Sequence, residues 1–211
     1  MIVVPAEESP MTAVPQRKLT PAEYLVIERH AQFKSEFLDG EMFAMAGASP
    51  THNSIKENLI IRLGSQIWGG PCRSYSSDQR VKVSATGLYT YPDIAVVCGQ
   101  PEFEAGQPDV LLNPRVIIEV LSESTERYDR TTKFRHYQQI ESLGEYVLVY
   151  QDEPLVECFA LQANGKWELT TIAGLAGQLE LTTVPAKIPL ADIYASVTFP
   201  EPPKPPAGRP R

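Results

Sequence analysis

The stretches YPDIAVVC (Tyr91–Cys98) and RVIIEVL (Arg115–Leu121) are apolar at nearly every position instead of at alternate ones. Strands of that kind are buried on both faces, which predicts core strands at about Pro92–Val97 and Arg115–Leu121, in a sheet covered by other elements. Each stretch also carries one carboxylate, Asp93 at the head of the first and Glu119 inside the second. A buried carboxylate is costly unless something pairs with it.

The elements around these strands can be read from local signals. Thr20, Pro21 and Glu23 form a capping box with proline at the first helical position, so a helix starts there. FKSEFLDGEMFAMAG reads as two short strands joined by Asp39-Gly40, a type I′ hairpin signal. Ser49-Pro50 opens a second helix whose Ile55, Leu59, Leu63 and Ile67 share one face, and Gly69-Gly70 ends it. Further strands are expected at Cys72–Ser77, Gln79–Ser84, Glu145–Tyr150 and Leu155–Leu161. A polar helix is expected over Ser124–Ile140, and an Asn164-Gly165 hairpin leads into KWELTTI. The pattern is α+β: a central mixed β-sheet with helices packed on it and a C-terminal β meander.

With 211 residues, 43% of them hydrophobic, the chain suffices for one domain with a real core. That domain is expected over residues 20–199, between a flexible segment at 1–19 and a disordered, proline-rich tail at 200–211. The N-terminus lacks the basic region of a signal peptide, and no apolar run is long enough to span a bilayer. Three cysteines without paired or metal-ligand spacing read as reduced thiols of a cytoplasmic protein. Net charge is −7; residues 1–19 are neutral and 200–211 carry +2, which leaves −9 on the core. That balance counts against tight, autonomous binding to nucleic acid, where a basic surplus is the rule.

Asp93 and Glu119 are 26 residues apart, which allows a loop between neighbouring strands that bring both acids to one end of the sheet. Two hard oxygen ligands with room for water and phosphate oxygens suit Mg²⁺. The alternative is structural, with Asp93 capping its strand and Glu119 bridged to an arginine such as Arg80 or Arg115. His30 and His136 have no metal-ligand spacing with any cysteine, which argues against zinc.

KSEFLDGEMFAMAGASPTHNSI, YPDIAVVC and VIIEVLSESTERYDRTTKFRHYQQIESLGEYVLV resemble, in order, a "putative restriction endonuclease" family abundant in cyanobacteria, within the PD-(D/E)XK nuclease superfamily. The likeness runs from about Thr20 to Tyr194. It implies a restriction-endonuclease-like core and Mg²⁺-dependent phosphodiester hydrolysis on DNA, with Mn²⁺ as a possible substitute ion. Asp93 then matches the aspartate of the PD motif and Glu119 the acid of the second element, the two together forming the metal site. The lysine expected two residues after Glu119 is replaced by Leu121. Lys133, on the following helix where the family also places a lysine, is the candidate replacement; otherwise it is a solvated helix residue. Glu36 matches an acid common before the Asp-Gly turn, its alternative being an exposed strand position. His52, in the first turn of its helix, could donate a hydrogen bond or move a proton near a phosphate, or simply cap or pack. Arg127, Arg130 and Arg135 read either as a basic strip, diluted by Glu126 and Asp129, or as a solvated face. Cutting both strands would favour a homodimer. The competing functions are a catalytically inactive nuclease-fold binding module and a hydrolase of small phosphate esters.

Overall fold

The computed structural model describes residues 17–200; the expected flexible N-terminal segment and proline-rich tail fall, save their innermost residues, outside them. Helix α1 (Pro21–His30) begins at the capping box read from the sequence, with the Thr20 side chain accepting from the Glu23 N–H and the Glu23 carboxylate accepting from Thr20 N. It leads into the hairpin of β1 (Ser35–Leu38) and β2 (Glu41–Ala44). Asp39 and Gly40 both have positive φ, 51° and 86°, as a type I′ turn requires. Helix α2 (Pro50–Ile67) is capped by Ser49 and buries the four positions expected of it.

Two six-stranded sheets follow. One runs β12-β11-β10-β9-β6-β3, and is built from β3 (Cys72–Ser76), β6 (Ile94–Cys98), β9 (Val116–Val120), β10 (Glu145–Val149), β11 (Leu155–Leu161) and β12 (Trp167–Ala173). Only its β9–β10 pair is parallel, so the sheet is mixed, as expected. The other runs β2-β1-β5-β4-β8-β7, adding β4 (Arg80–Val83), β5 (Leu88–Thr90), β7 (Phe103–Glu104) and β8 (Gln107–Leu111). The last two occupy the segment between the acidic strands, where the sequence suggests only a loop. The expected meander β10–β11–β12 exists as the outer half of the first sheet, while β13 (Gln178–Leu181) and β14 (Ala186–Pro189) form a separate ribbon followed by a short helix, Leu190–Ile193.

The continuous apolar runs are explained by cover on both faces. Ile94, Val96, Val116, Ile118 and Val120 pack against the α2 stripe, whereas Ala95, Val97, Ile117 and Leu121 pack with Val81, Leu88, Phe134 and Tyr137 on the opposite side. By alternation Glu119 belongs to that second side. Among the described residues no helix is long and apolar enough to cross a membrane.

The reading of all three cysteines as reduced thiols is corrected. Cys72 and Cys98 are register partners on antiparallel β3 and β6, with Cα atoms 3.9 Å apart, and they form a disulfide; Cys158 is free and buried. Linear spacing could not signal this, because the two thiols meet only through strand register. The cysteines are 26 residues apart, and closing a loop of that length contributes about 3.5 kcal/mol. The unreduced, denatured protein should therefore titrate one thiol, rising to three after reduction, and reductant should lower its urea midpoint accordingly.

Glu145, fully buried at the start of β10, anchors the ribbon to the sheet. Its carboxylate accepts from the backbone N–H and hydroxyl of both Thr182 and Thr183. Glu145→Ala strands these donors and is expected to cost roughly 2–4 kcal/mol, read as a shift in urea midpoint without loss of the remaining sheet.

Candidate active site

Strands β6 and β9 pair antiparallel with Ile94 opposite Ile118, so Asp93 and Glu119 follow as neighbours where β6 begins. The backbone locks them together: Asp93 N–H donates to Glu119 Oε2 at 3.2 Å, and Val120 N–H donates to Asp93 Oδ2 at 2.9 Å. Glu119 bonds neither of the arginines considered for it. Arg80 pairs with Asp109 and Tyr91, and Arg115 donates to the Ser142 carbonyl.

Facing Glu119 is the helix expected over Ser124–Ile140. It is shorter and irregular, made of turns at Glu126–Tyr128 and Phe134–Tyr137 around a π-helical turn, Asp129–Lys133. Such turns commonly mark functional sites. Here the turn buries Asp129 and Lys133, each 4% exposed. Lys133 Nζ lies 2.9 Å from Glu119 Oε1, 3.2 Å from Glu36 Oε1 and 3.4 Å from Asp129 Oδ1. It is thus a buried three-way ion-pair centre, and the solvated alternative is ruled out by its position. Leu121 meanwhile packs in the core.

Glu36 is buried rather than exposed; it accepts from the Thr90 hydroxyl and, at 3.1 Å, from the Tyr128 hydroxyl. Tyr137 donates to Glu119 Oε1 at 2.9 Å. His52 sits in the first turn of α2, its N–H donating to the Ser49 cap, and its Nε2 is 3.0 Å from Asp93 Oδ2. Among the described residues, His52 Nδ1 is buried without a hydrogen-bond partner. All five residues singled out in the sequence line one cavity of about 850 Å³. Asp129, Tyr128, Tyr137 and Thr90 escape sequence reasoning as site residues. Asp129 looks there like a diluent of a basic strip, yet its spacing of four from Lys133 is an available signal of a pair. Of the strip itself, Arg130 is tied to Glu157, and Arg127 and Arg135 are exposed.

The electrostatics follow from three carboxylates (Glu36, Glu119, Asp129) gathered around one ammonium, with Asp93 beside Glu119. Burial opposes charge on Lys133, but Glu119, Tyr137, Glu36 and Asp129 together hold its pKa well above the usual lysine value. Burial likewise opposes ionisation of Glu36, yet Lys133 and the Thr90 and Tyr128 hydroxyls hold it below the usual carboxylate range. For Glu119 burial wins: with Asp129 and Asp93 adding repulsion, it is pushed up to about 8 despite Lys133. Burial also raises Asp129. One ammonium is too little charge to keep all three of its acids ionised.

The burial and mutual repulsion that oppose ionisation of these acids are what a divalent cation would relieve, so the donor set fits Mg²⁺ in chemistry. Asp93 Oδ2 is engaged by Val120 N–H and His52, which leaves Oδ1 without a protein hydrogen bond among the described residues. Also among the described residues, no three His, Cys, Asp or Glu side chains form a protein cage for an ion. An ion at Asp93 and Glu119 would complete its shell with water and substrate oxygens, as Mg²⁺ commonly does.

A family model described as "Uma2: Putative restriction endonuclease" matches residues 21–191. Two uncharacterized proteins of Synechocystis sp. are similar along most of their length. One is 35% identical over 172 residues, covering 82% of this chain and 97% of its own. The other is 32% identical over 187 residues, covering 89% and 97%. The crystal structure of a protein from Anabaena variabilis, titled a "putative nuclease belonging to DUF820", superposes with a TM-score of 0.68 at 17% identity, covering 82% of this chain and 96% of that one. That likeness shows a shared fold.

Proposed function

Because this chain belongs to the Uma2 family of "putative restriction endonucleases", we propose that it is a Mg²⁺-dependent nuclease hydrolysing phosphodiester bonds of DNA at the Asp93–Glu119–Lys133 cluster. The observation that carries the reading is the Lys133 ammonium, delivered by a π turn to 2.9 Å from Glu119 although the lysine position after Glu119 is leucine. Asp93 and Glu119 would hold the ion, and Mg²⁺ bound there would supply charge neutralisation at a phosphoryl oxygen and a more acidic water. Lys133, kept protonated by its acids, is a donor and not a base. It orients the attacking water and stabilises charge on the phosphate in the transition state. Glu36 and Asp129 hold the ammonium in place, and His52 holds Asp93 through Oδ2, so that Oδ1 would be left for the ion. The proton released by the water passes to solvent or to an acid of the cluster.

The reading is tested by incubating the protein with single-stranded and duplex DNA in Mg²⁺, Mn²⁺ or EDTA. Cleavage is expected with either ion, none in EDTA, and none from Asp93→Ala. No cleavage by the wild type, or equal cleavage by Asp93→Ala, would reject it and leave a nuclease-fold binding module.

A further inference from the structure

The β1–β2 hairpin, whose Glu36 reaches into the cluster, carries a second set of groups that the chemistry does not use. Phe43 is the cross-strand partner of Glu36, and partners on an antiparallel pair project to the same face. Phe43 therefore stands beside the acid on the cavity wall, yet is 49% exposed on an edge strand. Phe33, 75% exposed just before β1, lines the same cavity. Two large aromatic faces left to solvent at a cavity mouth need a reason, since burying either would stabilise the fold.

Lysines flank them. Lys34 and Lys56 both line the cavity and converge on Ser77, Lys34 on its carbonyl at 2.7 Å and Lys56 on its hydroxyl at 3.2 Å. Lys34 also pairs with the exposed Asp78, whereas Lys56 has no carboxylate within ion-pair reach among the described residues. Lys56 lies one helical turn beyond His52, so the two share a face of α2.

Resting on the nuclease reading, we infer that this mouth selects single-stranded DNA: a base stacks on Phe43, with Phe33 beside it, and the adjoining phosphate is taken by Lys56 and Lys34. Charge argues for this occupant over a duplex. With a net charge of −7, the protein cannot draw affinity from a long row of phosphate contacts. Stacking on aromatic side chains supplies affinity that needs no basic surface, and is open only to bases already unpaired. The cavity volume of about 850 Å³ falls within the range of small-ligand sites, suited to unstacked nucleotides.

The test is binding of the full chain to fluorescent DNA of about 15 nucleotides, single-stranded or duplex, with Ca²⁺ replacing Mg²⁺ to slow turnover. The single strand should bind about tenfold more tightly, and Phe43→Ala should erase that margin while Phe43→Trp keeps it. Two lysine contacts predict a shallow salt dependence, a log–log slope of about −1.4 that Lys56→Ala reduces by about 0.7. Equal or tighter binding of duplex would overturn the inference, and so would a Phe43→Ala variant that binds as wild type but changes oligomeric state, which would make the aromatic patch a self-interface. In either case DNA cleavage would leave the nuclease reading standing. No cleavage and no binding would remove both.

Discussion

Lys133→Met is expected to abolish DNA cleavage and to lower stability by about 3–5 kcal/mol, the size of effect seen when one partner of a buried ion pair is removed. Methionine keeps the volume but leaves Glu119, Glu36 and Asp129 facing one another in a buried site without a cation. The loss should be partly reversible by removing a second charge. Lys133→Met combined with Glu36→Gln should recover stability beyond additivity, because the two residues share one network, while cleavage stays absent. Urea midpoints of the wild type, both single variants and the double variant give the coupling directly. A lysine on a solvated helix face would instead cost no more than about 0.5 kcal/mol, with no coupling to Glu36.

The parts of this fold that are legible in the sequence are those governed by local rules. The Thr20 capping box, the Asp39-Gly40 turn and the apolar stripe of α2 each depend on residues within a few positions of one another. The continuous apolar runs also disclose that β6 and β9 are covered on both faces. What escapes are features decided by register between distant segments: the Cys72–Cys98 bridge, the second sheet completed by β7 and β8, and the roles of Thr90 and Tyr128 at Glu36. Lys133 illustrates the boundary. Position in a family pattern singles it out and its spacing of four signals a pair with Asp129, but nothing local shows that a π turn buries them both. The exposed alternative for Glu36 rests on the alternation of Lys34, Glu36 and Leu38 along a short strand. The face they share is the one the cavity and the helix segment cover.

Glu119→Gln should separate stability from activity. The new amide would keep one acceptor for the Tyr137 hydroxyl or the Asp93 N–H but would set an NH₂ donor where an oxygen accepted, at a cost of about 1–3 kcal/mol. Against this, the substitution removes an acid whose ionisation the site disfavours, since burial opposes its charge and Asp129 and Asp93 repel it. Lys133 retains Glu36 and Asp129 as partners. These terms nearly cancel, so in EDTA the variant should melt within a few degrees of the wild type, whereas cleavage falls at least about 10²-fold, the scale of losing a group that acts on the transition state. Magnesium supplies the decisive contrast. At a hundred times its dissociation constant it should stabilise the wild type by about 2.7 kcal/mol and leave the variant unmoved. If Mg²⁺ raised both melting temperatures equally, the ion would be binding elsewhere, and Glu119 would be a structural partner of Lys133. A wild-type shift lost in the variant makes the strained carboxylate the cation's ligand, its folding cost retained because the reaction needs a negative charge at that place.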